Sequence, residues 1–147
     1  MKTRRILILA GAVVALAAFR PWGHHRGLGH MTPERVERMA TERVNDVMDD
    51  LEATPAQRAR VQEMKGELLK DGRRFHEDGR AARAELLTQW DSDRPDPARV
   101  HALVDERVEA ARVIGHTLAD YYVELHSLLT PEQRIKVSKN VRERMQE

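Results

Sequence analysis

With 147 residues, of which 33% are charged and 4% aromatic, the chain has the size of one domain and few bulky groups to fill a deep core. It has no cysteine, which excludes a disulfide framework, a thiolate metal site, a cysteine nucleophile and a lipidated N-terminal cysteine. Taking away residues 1–17 with Lys2, Arg4 and Arg5 leaves 22 basic and 24 acidic side chains, without the basic excess of a nucleic-acid binder.

Residues 1–17 read as a cleavable signal peptide. A basic start precedes an apolar run from Ile6 to Phe19, and Ala15-Leu16-Ala17 offers small residues for cleavage after Ala17 or Ala18. As a helix that run spans about 21 Å, against a hydrocarbon core of about 30 Å, so export with cleavage is favoured over an uncleaved anchor. Residues 18–31 form the expected flexible arm. His24, His25 and His30 lie in it, and imidazole suits zinc, copper and nickel; the plainer reading is a polar leader left after cleavage.

From residue 32 onward the pattern is helical throughout. Thr32-Pro33-Glu34 starts a first helix with an apolar stripe of Val36, Met39, Ala40, Val44, Val47 and Leu51 that stops near Glu52. The second runs from Pro55 to about Thr88, its seam made of Val61, Met64, Leu68, Phe75, Ala82 and Leu86, with Gly72 and Gly79 in the same register. Two glycines in a helical seam point to a close helix approach or to a bend. Asp91 to Pro97 is a break rich in turn formers, closed by Asp96-Pro97 as cap and first helical residue. The third helix then continues to about Leu128, with Val100, Leu103, Val104, Val108, Ala111, Ile114, Leu118, Tyr122 and Leu125 spaced as one packing seam. Residues 58–83 carry eight basic and five acidic groups, residues 91–132 four and nine, so the two long helices suit an αα-hairpin. A fourth helix begins at Pro131 and shows Ile135, Val141 and Met145 on one side. The expected fold is all-α: a long antiparallel hairpin with short flanking helices.

Two of the helix starts share a motif. Leu129-Thr130-Pro131-Glu132-Gln133-Arg134 combines an N-cap threonine, a proline at the first helical position and a glutamine that can close a capping box. Ala53-Thr54-Pro55-Ala56-Gln57-Arg58 repeats it about 76 residues upstream. Together the copies resemble the paired L-T-x-x-Q motifs of the Spy/CpxP family of bacterial periplasmic proteins, whose relatives include zinc-associated and heavy-metal-sensing envelope proteins. The resemblance covers roughly residues 32–145, within a helical domain placed at 32–147. The upstream copy departs from the pattern by having Ala53 where the family has leucine, so that Leu51 is left to supply the contact. Thr54, Gln57, Leu129, Thr130 and Gln133 are the motif residues. The resemblance implies an antiparallel, cradle-shaped homodimer whose concave face mixes apolar and basic side chains.

The residues present do not suggest an enzyme. There is no glycine-rich phosphate loop, no strand for a nucleophile elbow and no H-E-x-x-H. His116 with Asp120, four residues on, makes two ligands of a site that another subunit would have to complete, or simply a surface hydrogen bond. Three binding roles compete. The first is an ATP-independent periplasmic chaperone for unfolded or misfolded envelope proteins, as the resemblance implies; Met39, Arg43, Met48, Arg60, Met64 and Arg73 are its candidate client contacts, because methionine adapts to varied apolar partners and arginine attracts acidic ones. Those methionines otherwise fill the core. The second is a heavy-metal sensor or buffer, with zinc, nickel or copper held through His24, His25, His30 or His116. The third is an adaptor for the periplasmic domain of a sensor kinase. No cofactor is required by the first or the third.

Overall fold

The computed structural model describes residues 32–146, which form four helices and no strand. They are α1 (Pro33–Asp50), α2 (Pro55–Trp90), α3 (Pro97–Leu128) and α4 (Pro131–Met145). The fold is all-α, as expected. No described helix is long and apolar enough to cross a membrane.

Each helix starts in the same way, with Thr32-Pro33, Thr54-Pro55, Asp96-Pro97 and Thr130-Pro131. Proline disfavours the helical conformation in the residue before it, which suits an N-cap held extended. Thr32 and Thr130 accordingly have ψ of 152° and 161°. At Asp96 the carboxylate accepts the N–H groups of Ala98 and Arg99, and its own N–H donates to Gln89. The α1–α2 turn reverses through Glu52, whose φ of 52° is the left-handed conformation, and Ala53 N–H donates back to Met48.

By packing, the described residues divide into two units, residues up to 66 with 118 onward, and residues 67–117. The first has a core of Val44, Val47, Met48, Leu51, Ala53 and Val61, closed by Leu125, Leu128, Leu129 and Val137. Only the second half of α1 takes part; Val36 and Met39 stand in solvent. Arg60 grips the carboxylate of Glu124 through two nitrogens and also pairs with Glu63, and these bonds hold the Glu124 carboxyl below its usual range. In α4 the expected apolar side is corrected. Ile135 and Met145 are exposed, because the inward position belongs to Gln133, and Ile135 lies about 200° round the helix from it.

The second unit is an antiparallel helical hairpin. Phe75, Gly79, Ala82 and Leu86 of α2 are at least half-buried, as are Leu103, Arg107, Ala110 and Ile114 of α3. Arg99 pairs with Glu85 and Glu106 near the turn, and further from it the Arg107 guanidinium lies 3.9 Å above the Phe75 ring. Val104 and Val108, expected in the same seam, are 50% and 62% exposed. The apolar spacing of α3 therefore merges two neighbouring rows, one packed and one open.

The two glycines separate into different cases. A Cβ at Gly79 would stand 3.3 Å from Nη2 of Arg107, whereas one at Gly72 would meet nothing within 4 Å. Gly72→Ala is expected to stabilise the chain by about 0.5–1 kcal/mol through helix propensity alone. Gly79→Ala should gain less, since it displaces a cation–π contact worth about 0.5–1 kcal/mol. Urea titrations of both variants check this; an equal or larger gain at Gly79 would show that Arg107 is not held there.

Candidate functional site

The two motif loops meet, and they meet through their glutamines. Thr54 and Thr130 both cap their helices. Each hydroxyl accepts the N–H of its own glutamine, at 3.2 and 3.3 Å, and each threonine N–H donates to that glutamine's Oε1 at 2.9 Å. These are complete capping boxes. Each side-chain amide then reaches across to the other loop. Nε2 of Gln57 donates to Oε1 of Gln133 at 2.9 Å, and Nε2 of Gln133 returns the bond at 3.2 Å. The second hydrogen of each Nε2 goes to a carbonyl at the end of the opposite preceding segment, Leu128 at 2.8 Å for Gln57 and Leu51 at 3.0 Å for Gln133.

A primary amide has two hydrogens to donate and two lone pairs to accept with. All four are used in both residues, which are only 6% and 7% exposed. Among the described residues no buried side-chain polar atom lacks a partner. The arginine that follows each glutamine completes the arrangement. Arg58 donates to the carbonyls of Ala53 and Met48 and to the Asp49 carboxylate, and Arg134 donates to the carbonyls of His126 and Leu129. One carbonyl in the last turn of each preceding helix, Met48 in α1 and His126 in α3, is thereby given a side-chain donor. Ala53 and Leu51 are both buried here, so the shorter upstream residue is accommodated without exposing the loop.

The two glutamine amides are neutral and buried, and every hydrogen and lone pair they have is used in joining four helix ends.

Residues 6–146 match the model of a protein family described as heavy-metal resistance. The chain belongs to the heavy-metal resistance family. That family falls within the Spy/CpxP-like group of L-T-x-x-Q helical proteins. No curated protein and no solved structure matches the chain.

The candidate client contacts fall in different surroundings. Met39 is 47% exposed, and Arg73 is exposed. Arg43 is half-buried and has an interaction partner, while Arg60 is engaged by Glu124 and Glu63. Met48 and Met64, at 3% and 4% exposure, are inside the packing. The plainer reading of the methionines, as core residues, describes these two. Of the candidate metal ligands, His116 is exposed, and His24, His25 and His30 lie outside the described residues. Among the described residues no group of three or more His, Asp or Glu side chains is placed to hold a metal ion.

Sequence reasoning identified both motifs and their capping roles, but not the pairing of Gln57 with Gln133. The signal was present in the repetition itself. Two copies of one polar residue at one offset, each behind a cap and ahead of an apolar seam, are what a reciprocal buried pair requires. Arg58 and Arg134 carried the same signal, standing at identical offsets in the two copies.

Proposed function

We propose that the chain acts in heavy-metal resistance as a non-enzymatic metal-binding protein of the cell envelope, exported behind its basic and apolar leader. The observation that supports this most is the family match over residues 6–146, which takes in the three histidines His24, His25 and His30 within seven residues of one another. With thiolates absent from the chain, imidazoles are its best donors for zinc, nickel and copper. Because the described helices offer no three-donor group, ligation falls to the histidine segment, with His116 of a second copy as the completing ligand. The helical domain then serves as the carrier of that segment. The test is survival of a metal-sensitive bacterium expressing the chain under zinc, nickel and copper challenge. Protection that disappears with H24A/H25A/H30A supports this role, and undiminished protection by that variant contradicts it.

An ATP-independent chaperone is the second reading. It is favoured by the exposure of Leu87, Trp90, Val104 and Val108, large apolar groups standing in water on one hairpin. Light scattering by an aggregating client, with the chain added in chelator and then in zinc, separates the two. Suppression in chelator supports a metal-independent chaperone. Metal binding without suppression supports the sensor or buffer, and the absence of both brings the sensor-kinase adaptor forward.

A further inference from the structure

The hairpin of residues 67–117 has two unlike sides, and the packing seam separates them. The residue after each seam position is exposed in both helices. In α2 these are His76, Arg80, Arg83 and Leu87, following Phe75, Gly79, Ala82 and Leu86; in α3 they are Val104, Val108, Ala111 and Gly115, following Leu103, Arg107, Ala110 and Ile114. One residue is a turn of about 100°. Seen from one end, antiparallel right-handed helices wind in opposite senses, so the same step carries both rows to the same side of the hairpin. One side thus presents a basic row beside an apolar row. Arg73 extends the basic row one step back and Trp90 one step forward, at the same three- and four-residue spacing.

The residues before the seam positions occupy the other side: Arg74, Asp78, Ala81 and Glu85 with Ala102, Glu106, Glu109 and Val113. That side holds four carboxylates, which are bonded to Arg74, Arg99 and Arg112. None of the eight residues that follow the seam positions is a carboxylate; exposed Glu77 and Asp105 stand one step further round their helices, Glu77 within a turn of Arg73 and Arg80. Among the described residues Arg73, Arg80 and Arg83 have no ion pair and no hydrogen-bonded side chain. Trp90 is 84% exposed and Leu87 64%.

From this segregation we infer that the side bearing Arg73, Arg80, Arg83, Leu87, Trp90, Val104 and Val108 docks on an anionic phospholipid surface. The inference rests on the envelope location proposed above, not on metal binding. Charge complementarity selects the partner. Guanidinium groups without protein partners are drawn to lipid phosphates, while valine, leucine and an exposed indole enter the boundary between headgroup and acyl chain, where tryptophan is enriched.

The experiment is flotation of the full chain with vesicles of phosphatidylglycerol and phosphatidylcholine, and with phosphatidylcholine alone. Trp90 emission is followed in a Trp22→Phe background. Binding to the anionic vesicles with a blue shift of Trp90 is expected, and none to the neutral ones. Arg80→Gln with Arg83→Gln should weaken binding about thirty-fold at low salt, taking each basic residue as about a fivefold contribution. Arg74→Gln, on the acidic side, should not weaken it. Circular dichroism of the variants checks that the helices persist. Equal binding to neutral vesicles, an unaffected Arg80/Arg83 variant, or capture of poly-glutamate in place of vesicles would overturn the assignment. Because metal uptake is read separately, loss of the metal role leaves this outcome unchanged.

Discussion

Gln57→Leu is expected to cost the fold about 2–4 kcal/mol, although it places an apolar side chain in an apolar core. The loss arises from what remains. Gln133 keeps a hydrogen and a lone pair with nothing to meet, and the Leu128 carbonyl and Thr54 N–H each lose a partner. A buried polar group left without a bond costs about 1–3 kcal/mol, more than the net gain from making one. Gln133→Leu should cost a similar amount by the same reasoning. The double variant is the informative one. Removing both amides takes away the stranded amide groups, leaving only the backbone partners unpaired, so its cost should fall short of the sum. Urea denaturation of the four proteins closes this cycle. Strictly additive losses would mean that the glutamines act as separate caps.

Met48→Ala is expected to cost about 2–5 kcal/mol, the range for emptying a core methionine site, and Met39→Ala less than about 0.5 kcal/mol. Met48 belongs to the cluster with Val44, Val47 and Leu51, whereas Met39 lies about two and a half turns earlier on α1, beyond the stretch that packs. Thermal melts distinguish the two. The result also governs how functional data are read, since a loss of client protection in Met48→Ala reports a damaged fold, and only Met39→Ala isolates a surface contact. Comparable melts for both would place Met48 outside the core.

The helices were legible because their boundaries are written in local chemistry. A cap residue followed by proline starts every helix, and neither residue needs knowledge of what lies across the fold. Periodicity served less well in α3. A row of Leu103, Ala110, Ile114 and Leu118 and its neighbour of Val104, Val108 and Ala111 are both apolar, and three- and four-residue spacing fits either one. Only packing against α2 decides which is inside. In α4 the apolar Ile135 is exposed and the polar Gln133 is buried, because a partner 76 residues away satisfies the glutamine. Methionine posed the same difficulty in reverse, since its flexibility suits a core gap and a binding surface equally. Pairing across the chain is the information that local pattern lacks.

Metal binding by the histidine segment is tested most directly by calorimetric titration of zinc, nickel and copper into the purified chain and into H24A/H25A/H30A. Uptake by the unsubstituted chain is expected, with at least a tenfold loss of affinity in the variant and its helical melt unchanged. Unaltered affinity in the variant, or no uptake by either protein, would contradict it.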